Sequence, residues 1–111
     1  MKIAIPTDDG LNISAMCEQA KGFFIAVVDR GKITREEIRW NPDPEDVSHF
    51  ALSVIDECQV LLASENWQNR LPQHHIEGKE IVLYKDTIIT NVLVDYLTTS
   101  LLKESNTCCC P

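Results

Sequence analysis

This sequence has few glycines, few aromatic residues and no long apolar run. The four glycines lie far apart along the chain, so a glycine-rich loop that cradles phosphate is absent. No stretch approaches the run of about 18 apolar residues that crosses a bilayer, and the first ten residues lack the apolar core of a signal peptide. We therefore expect a cytoplasmic protein that is not integral to a membrane.

Basic residues are also scarce. The chain of 111 residues has 17 acidic and 10 basic side chains, for a formal net charge of -7. The basic residues are scattered, whereas a nucleic-acid surface needs clustered cations that displace counterions from phosphates. The length and the 44% hydrophobic content are those of one ordinary domain. Composition thus favours a single globular domain and argues against a nucleic-acid partner.

Paired cysteine motifs are missing as well. The five cysteines are Cys17, Cys58 and the consecutive run from Cys108 to Cys110, with no C-x-x-C pair among them. An odd number in this arrangement is no disulfide framework, and it makes a structural zinc site improbable. In a reducing cytosol such thiols are expected to be unpaired, metal-bound or redox-active.

The hydrophobic pattern predicts five strands and three helices. Apolar runs of strand length and a turn at residues 29–32 predict strands at Lys2–Ile5, Phe23–Val28, Ile33–Trp40, Val60–Ala63 and Ile81–Tyr84. Apolar residues with helical spacing predict a helix capped by Asp43 that reaches Cys58, a weaker helix from Ser64 to Leu71, and a long helix capped by Asp86. In the first helix, Pro44, Glu45 and Asp46 are expected to occupy the first turn.

This order of elements predicts an α/β fold with a five-stranded mixed sheet flanked by helices. The second and third strands form a hairpin, with the third at an edge, while helical crossovers in the second half require parallel strands. The first strand is expected at the centre. A crevice should then open beyond the carboxyl ends of the first and fourth strands, where Thr7–Asp9 and Ser64–Asn66 would converge.

The long connection after the first strand contains two adjacent sulfur donors, Met16 and Cys17. A thioether and a thiolate select soft metals such as copper(I) or iron–sulfur units. The alternative is that both side chains pack the loop onto the core, as methionine and cysteine commonly do. Cys17 is also a candidate thiol nucleophile, although no base is positioned by the sequence to activate it.

The domain is expected to span residues 1–103, followed by a flexible cysteine-containing tail at 104–111. Adjacent thiolates at Cys108, Cys109 and Cys110 could capture a soft metal or deliver sulfur ligands to a cluster in the crevice. The alternative is an exposed tail without a role.

Other polar residues are weaker candidates. Asp8 and Asp9 follow the first strand and could act as metal carboxylates, although turn chemistry also explains them. The three histidines, His49, His74 and His75, have no mutual spacing that forms a metal site.

The first 42 residues carry a resemblance to a known family. The segments that match are Met1–Ser14, Ala20, Phe23–Asp29, Gly31–Ile33 and Asn41–Pro42. They resemble the dinitrogenase iron-molybdenum cofactor biosynthesis family. The resemblance implies a ribonuclease H-like fold and a non-enzymatic carrier that binds iron-molybdenum cofactor or another metal–sulfur cluster and exchanges it with a donor or acceptor protein.

The chain departs from the family at the first long loop. Where members commonly read Ser-x-His-Phe-Gly-Arg-Ala, this chain reads Ser14-Ala15-Met16-Cys17-Glu18-Gln19-Ala20. The histidine that is often thought to contact the cluster is replaced by Met16, and the arginine that would favour an anionic cluster by Gln19. The glycine-rich loop after the fourth strand is replaced by Ser64-Glu65-Asn66-Trp67.

Two hypotheses follow from these departures. In the first, Met16 and Cys17 act with the cysteine tail as sulfur ligands in place of the histidine. In the second, the chain is a diverged member that works as a protein-interaction or regulatory module without a cluster. The predicted binding residues for the first hypothesis are Asp8, Asp9, Ser14, Met16, Cys17, Ser64, Asn66 and the three tail cysteines.

Overall fold

The structure, a computed structural model, describes residues 1–43, 45–67 and 77–108. The described residues contain all five of the predicted strands and two of the predicted helices. The elements are β1 (Lys2–Thr7), a short 3-10 helix (Cys17–Gln19), β2 (Gly22–Asp29), β3 (Lys32–Trp40), α1 (Val47–Glu57), β4 (Val60–Ser64), β5 (Glu80–Tyr84) and α2 (Ile89–Cys108).

The strands form one mixed sheet in the order β3-β2-β1-β4-β5. β1 pairs antiparallel with β2 and parallel with β4, while β4 pairs parallel with β5. The predicted arrangement is confirmed: β1 is central, the hairpin lies on one side, and β3 is an edge strand. β1 and β4 consequently end at the same edge of the sheet, which we call the carboxyl edge.

Each face of the sheet packs against one helix. On the first face, Phe23, Ile25 and Leu61 pack with Val54 and Ile55 of α1. On the opposite face, the core is formed by side chains of β1, β4 and α2, among them Ile3, Ile5, Leu62, Ile89, Val92 and Leu93. These nonpolar side chains are almost fully buried, so burial on both faces supplies the main driving force for folding.

β1 is longer than predicted because Pro6 does not end it. The strand continues through Pro6 to Thr7, and Pro6 and Thr7 are paired with Phe23 and Gly22 of β2. Proline lacks an N–H group but still accepts a hydrogen bond, and its carbonyl accepts one of 2.8 Å from the Ser14 N–H. Thr7 rather than Ile5 therefore marks the carboxyl end of the strand.

α1 begins later than predicted. The Asp43 carboxylate accepts a hydrogen bond from the Glu45 N–H at 3.0 Å, and the Asn41 side chain accepts one from the Asp43 N–H at 3.0 Å. These local bonds form turns that compete with helix formation, so the helix starts at Val47. Glu45 and Asp46 lie before the first turn rather than in it, and Pro44 lies outside the described residues.

α2 is longer than predicted. Its helical backbone extends through Cys108, into the segment assigned to the tail. The residues from Lys103 to Thr107 include no proline or glycine that would break the helix.

Within the described residues no helix is long and apolar enough to span a bilayer. The predicted weak helix from Ser64 to Leu71 is not helical at Ser64–Trp67, which are the end of β4 and a turn, and its remainder lies outside the described residues.

Candidate functional site

The connection from β1 to β2 begins at the carboxyl edge and is held by Thr7. The Thr7 side chain is fully buried. Its hydroxyl donates a hydrogen bond of 2.7 Å to the Asn12 carbonyl and accepts one of 2.8 Å from the Gly10 N–H. Gly10 has a φ of 83°, a conformation that favours glycine, and so allows the chain to turn sharply here. A single hydroxyl thus closes the turn after β1.

Asp9 uses its carboxylate inside the same turn. One oxygen accepts hydrogen bonds of 2.8 Å from the backbone N–H groups of Leu11 and Asn12, and the other accepts one of 2.9 Å from the Asn12 side-chain amide. These bonds, that from the Asn12 side chain above all, lower the pKa of Asp9 to about 2. Asp8 accepts a hydrogen bond of 3.0 Å from the Lys21 N–H and ties the end of the connection to its start. The sequence allowed either metal binding or a structural role in the turn for these two aspartates. In the structure, both hold the connection between β1 and β2 through hydrogen bonds.

The Asp9 pKa predicts how the turn responds to acid. Because the pKa in the folded chain is depressed from 3.8 to about 2, Asp9 stabilises the turn above its unfolded pKa, and this stabilisation is lost as the pH falls through the folded pKa. We expect the Leu11 and Asn12 amide resonances to titrate with a midpoint near pH 2 in an NMR series. Asp9→Asn should abolish that titration. A midpoint at or above 3.8 would show that the hydrogen bonds do not persist in solution.

The two adjacent sulfur donors have different surroundings. Cys17 is fully buried and belongs to the core cluster under α1, together with Ala20 and Phe23. Met16 is half-buried, and its N–H and carbonyl both lie 3.4 Å from the hydroxyl of the buried Ser14. Metal ligation by Cys17 would require the short 3-10 helix to leave the core. The packing role that the sequence offered as the alternative accounts for the position of Cys17.

The second predicted segment also lies at the carboxyl edge. The Ser64 hydroxyl accepts a hydrogen bond of 3.2 Å from the Asn66 N–H, and the Trp67 N–H donates one of 3.0 Å to the Ser64 carbonyl. Ser64 therefore caps a turn, and the Trp67 side chain folds back into the core under α1. Because β1 and β4 are parallel neighbours, the segments that follow Thr7 and Ser64 leave the same edge.

Cys108, the described cysteine of the predicted tail, does not lie at this edge. α2 starts beside the turn, where the Ile89 N–H donates to the Leu11 carbonyl at 3.0 Å. It then runs back across the sheet to Tyr96, whose hydroxyl donates to Glu80 at the start of β5. Cys108 lies about 28 Å beyond Ile89 along the helix axis. Within a single chain, the end of α2 therefore does not lie close to Met16.

Among the described residues there is no group of three His, Cys, Asp or Glu side chains that could hold a metal ion. His49 is exposed on α1. Cys58 is buried, and burial raises the pKa of its thiol. His74, His75, Cys109 and Cys110 lie outside the described residues.

A pocket at the carboxyl edge differs from the predicted crevice, because neither Thr7–Asp9 nor Ser64–Asn66 lines it. It has a volume of about 350 Å³ and lies between the turn after β1, the side chain of Phe24 and the start of α2. Its lining is mostly apolar, and it is formed by Gly10, Leu11, Asn12, Phe24, Ile88, Ile89 and Thr90. The sequence signal was the exposed pair of apolar residues in otherwise polar segments, Leu11 after the Asp-Asp-Gly turn and Ile88 after Asp86.

The comparisons with known proteins show the fold. No protein-family profile and no curated protein sequence matches the chain. The crystal structure of the protein PH0822 has a TM-score of 0.71 at 18% identity, covering 89% of this chain and 92% of that one. A predicted dinitrogenase from Methanocaldococcus jannaschii has a TM-score of 0.69 at 15% identity, covering 89% of each chain.

A predicted NifB protein from Thermotoga is also similar. Its NMR structure has a TM-score of 0.60 at 15% identity, covering 86% of this chain and 85% of that one. These likenesses extend over most of each chain, so this α/β arrangement is an established one. At such low sequence identity, these similarities are evidence for the fold and not for the function.

Proposed function

We propose that this chain is a cytoplasmic, non-enzymatic carrier for a metal–sulfur cluster, such as iron-molybdenum cofactor, which it exchanges with a donor or acceptor protein. The observation that carries the proposal is the fold likeness to structures described as a predicted dinitrogenase and a predicted NifB protein. The resemblance of the first 42 residues to a cofactor biosynthesis family supports the same function. The strand order agrees with the ribonuclease H-like class that this resemblance implies, and we propose that class for the fold.

The cluster is cargo in this proposal, and two separate places in the chain offer sulfur donors for it. Met16 is half-buried in the connection that leaves the carboxyl edge. Cys108 is the last residue of α2, about 28 Å from Ile89 along the helix axis, and Cys109 and Cys110 come next in the sequence. Thioether and thiolate sulfur both suit iron–sulfur units and copper(I). We propose that the cysteines are the principal donors, because adjacent thiolates bind soft metals more strongly than a lone thioether.

Reconstitution without oxygen tests this proposal. Untagged protein would be incubated with iron and sulfide, with or without molybdate, or with copper(I), and then desalted for elemental analysis and absorption spectroscopy. We expect stoichiometric metal and sulfur-to-metal charge-transfer bands, which are lost in a chain that ends at Thr107. Met16→Leu should leave both the metal content and the bands in place, because Met16 does not lie close to the end of α2 within a single chain.

A matched control separates ligation from stability. Cys58→Ala removes a thiol that is 2% exposed in the core, so metal binding should persist in that variant. A chain that ends at Thr107 and still binds the cluster would contradict the tail cysteines as donors. Colourless, metal-free protein under all conditions would contradict the carrier function itself.

A second candidate is a protein-interaction or regulatory module without a cluster. It is favoured by the burial of Cys17 and by the use of the Asp9 oxygens within the turn. Both residues have structural roles in the fold, so neither needs a cluster to account for its position. The metal-free outcome above would select this candidate.

A further inference from the structure

An apolar surface extends from Phe24 of β2 to the edge strand β3, beside the core under α2. Phe24 of β2 lies opposite Ile38 of β3, and Gly22 lies opposite Trp40, so these residues share the face on which α2 packs. The core under α2 includes Ala26 and Val28 of β2, with Phe24 packed against it, but it includes neither Ile38 nor Trp40. Ile38 and Trp40 therefore remain 39% and 48% exposed, although both are large and apolar.

The turn after β1 continues this surface. A Cβ atom at Gly10 would lie 3.2 Å from Ile38 Cδ1 and 3.7 Å from Trp40 Cζ2, so the turn is in contact with both side chains. Leu11, the next residue, is 72% exposed, and Ile88 across the pocket is 46% exposed. We call the resulting surface the β2–β3 patch; it consists of Leu11, Phe24, Ile38, Trp40 and Ile88.

Glycine at two positions fixes the shape of the patch. A Cβ atom at Gly22 would approach Trp40 Cε3 to 2.6 Å, so the indole ring rests directly on the backbone of β2. The positive φ of Gly10 brings the turn against the same ring. The patch is thus preformed, and a partner that binds it would not have to order it first.

The charges around the patch are predominantly negative. No charged side chain lines the pocket. On one side of the pocket, the Asp9 carboxylate accepts hydrogen bonds from the Leu11 and Asn12 N–H groups. On the other side, Asp86 accepts one of 2.9 Å from the Ile88 N–H. Glu36 is exposed on the same face of β3, opposite Ala26. Lys21 and Lys85 are near along the chain, but the net charge of the protein is -7.

We propose that the β2–β3 patch docks a segment of a partner protein that inserts a large apolar side chain into the pocket and places lysine or arginine beside it. Exposed apolar patches with a polar rim are typical of protein interfaces, in which pockets hold the anchoring side chains. The apolar surface extends past the pocket to Trp40, which is wider than a small ligand would need. The acidic residues around the patch favour a partner that has lysine or arginine beside the inserted side chain. None of the residues of the patch is a proposed sulfur donor, so the inference does not depend on whether a cluster is carried.

Selection from a random-peptide phage library on the immobilised full chain tests the proposal. We expect enriched sequences with an aromatic residue or leucine next to lysine or arginine. A synthetic, fluorescently labelled peptide of the enriched sequence would then be titrated by anisotropy. Leu11→Asp and Ile88→Asp should each weaken its binding about tenfold or more, as expected for residues around an anchoring pocket. Glu36→Gln should weaken it less, and raising the salt from about 0.05 M to about 0.5 M should also reduce binding.

Val94→Asp is the matched control, because Val94 is an apolar residue on α2 that is 63% exposed and lies outside the patch. Its peptide affinity should equal that of the wild type. Failure to enrich any sequence, enrichment of acidic sequences, or an equal loss in Val94→Asp would overturn the proposal. Self-association that Leu11→Asp abolishes would assign the patch to a second copy of this chain instead. Metal reconstitution in the same variants distinguishes this failure from a failure of the carrier function.

Discussion

In the native protein, Cys17 should react with iodoacetamide at least about a thousandfold more slowly than in the unfolded chain. Its side chain is fully buried in the core between the sheet and α1. Alkylation must therefore wait for an opening of this core, and the opening of core elements costs up to the full free energy of unfolding. Mass spectrometry of tryptic peptides after timed alkylation, with and without urea, would measure the rate at Cys17 separately from the other cysteines.

Two further positions calibrate this experiment. Cys58, which is 2% exposed, should be protected to a similar degree. A Leu11→Cys variant places a thiol at a position that is 72% exposed, and that thiol should react at nearly the rate of the unfolded chain. Alkylation of Cys17 as fast as that of Leu11→Cys would show that the 3-10 helix opens freely, and it would revive both the metal-ligand and the thiol-nucleophile hypotheses for Cys17.

Slow alkylation of Cys17 in the native protein would leave fewer functions open to this thiol. A catalytic thiol has to be accessible to its substrate and is usually activated by neighbouring cations, whereas buried structural cysteines are inert. The protein would then have two separate groups of sulfur donors. One is Met16 in the loop, and the other is the group of cysteines at and after the end of α2. The carrier hypothesis would depend on those cysteines, which is why the chain that ends at Thr107 is the decisive variant in the reconstitution.

The sheet could be predicted from the sequence because its signals are local and repeated. The apolar run of β2, the Asp-Arg-Gly-Lys turn and the helical spacing after Asp43 each define one element, and connection rules limit how such elements can be ordered. The boundaries at Pro6 and Asp43 were wrong for a different reason. Each depends on a hydrogen bond with another segment or a neighbouring turn, which periodicity does not contain.

The candidate site was predicted less completely than the fold. The sequence placed Asp8, Asp9, Ser64 and Asn66 at one sheet edge. It could not show that one Asp9 oxygen accepts hydrogen bonds from the Leu11 and Asn12 N–H groups and the other from the Asn12 side chain. The pocket was missed because its walls come from segments far apart along the chain, at Gly10–Asn12 and Ile88–Thr90. A contact between such segments becomes visible only after the strands are ordered.

Replacing Thr7 by valine should destabilise the protein by about 2 kcal/mol. Valine has nearly the same shape, so the buried volume is kept, but the hydroxyl that joins the Gly10 N–H and the Asn12 carbonyl is lost. Leaving a polar group without its partner costs about 1–3 kcal/mol when it is buried, and these two groups lie in a partly buried turn. Urea unfolding should show a lower midpoint with an unchanged slope.

Thr7→Ser is the matched control for this effect. Serine keeps the hydroxyl and loses only a methyl group, so it should cost less than valine, whereas a purely apolar role for Thr7 would reverse that order. The local consequence should be visible in amide hydrogen exchange, since the Ile13 and Ile89 N–H groups bond between the turn and the start of α2. Both should exchange faster in Thr7→Val. Because the same turn positions Leu11 at the pocket, Thr7→Val should also weaken peptide binding, although Thr7 itself is fully buried and cannot contact a partner. A loss of stability without a loss of peptide binding would separate the fold of the turn from the docking surface.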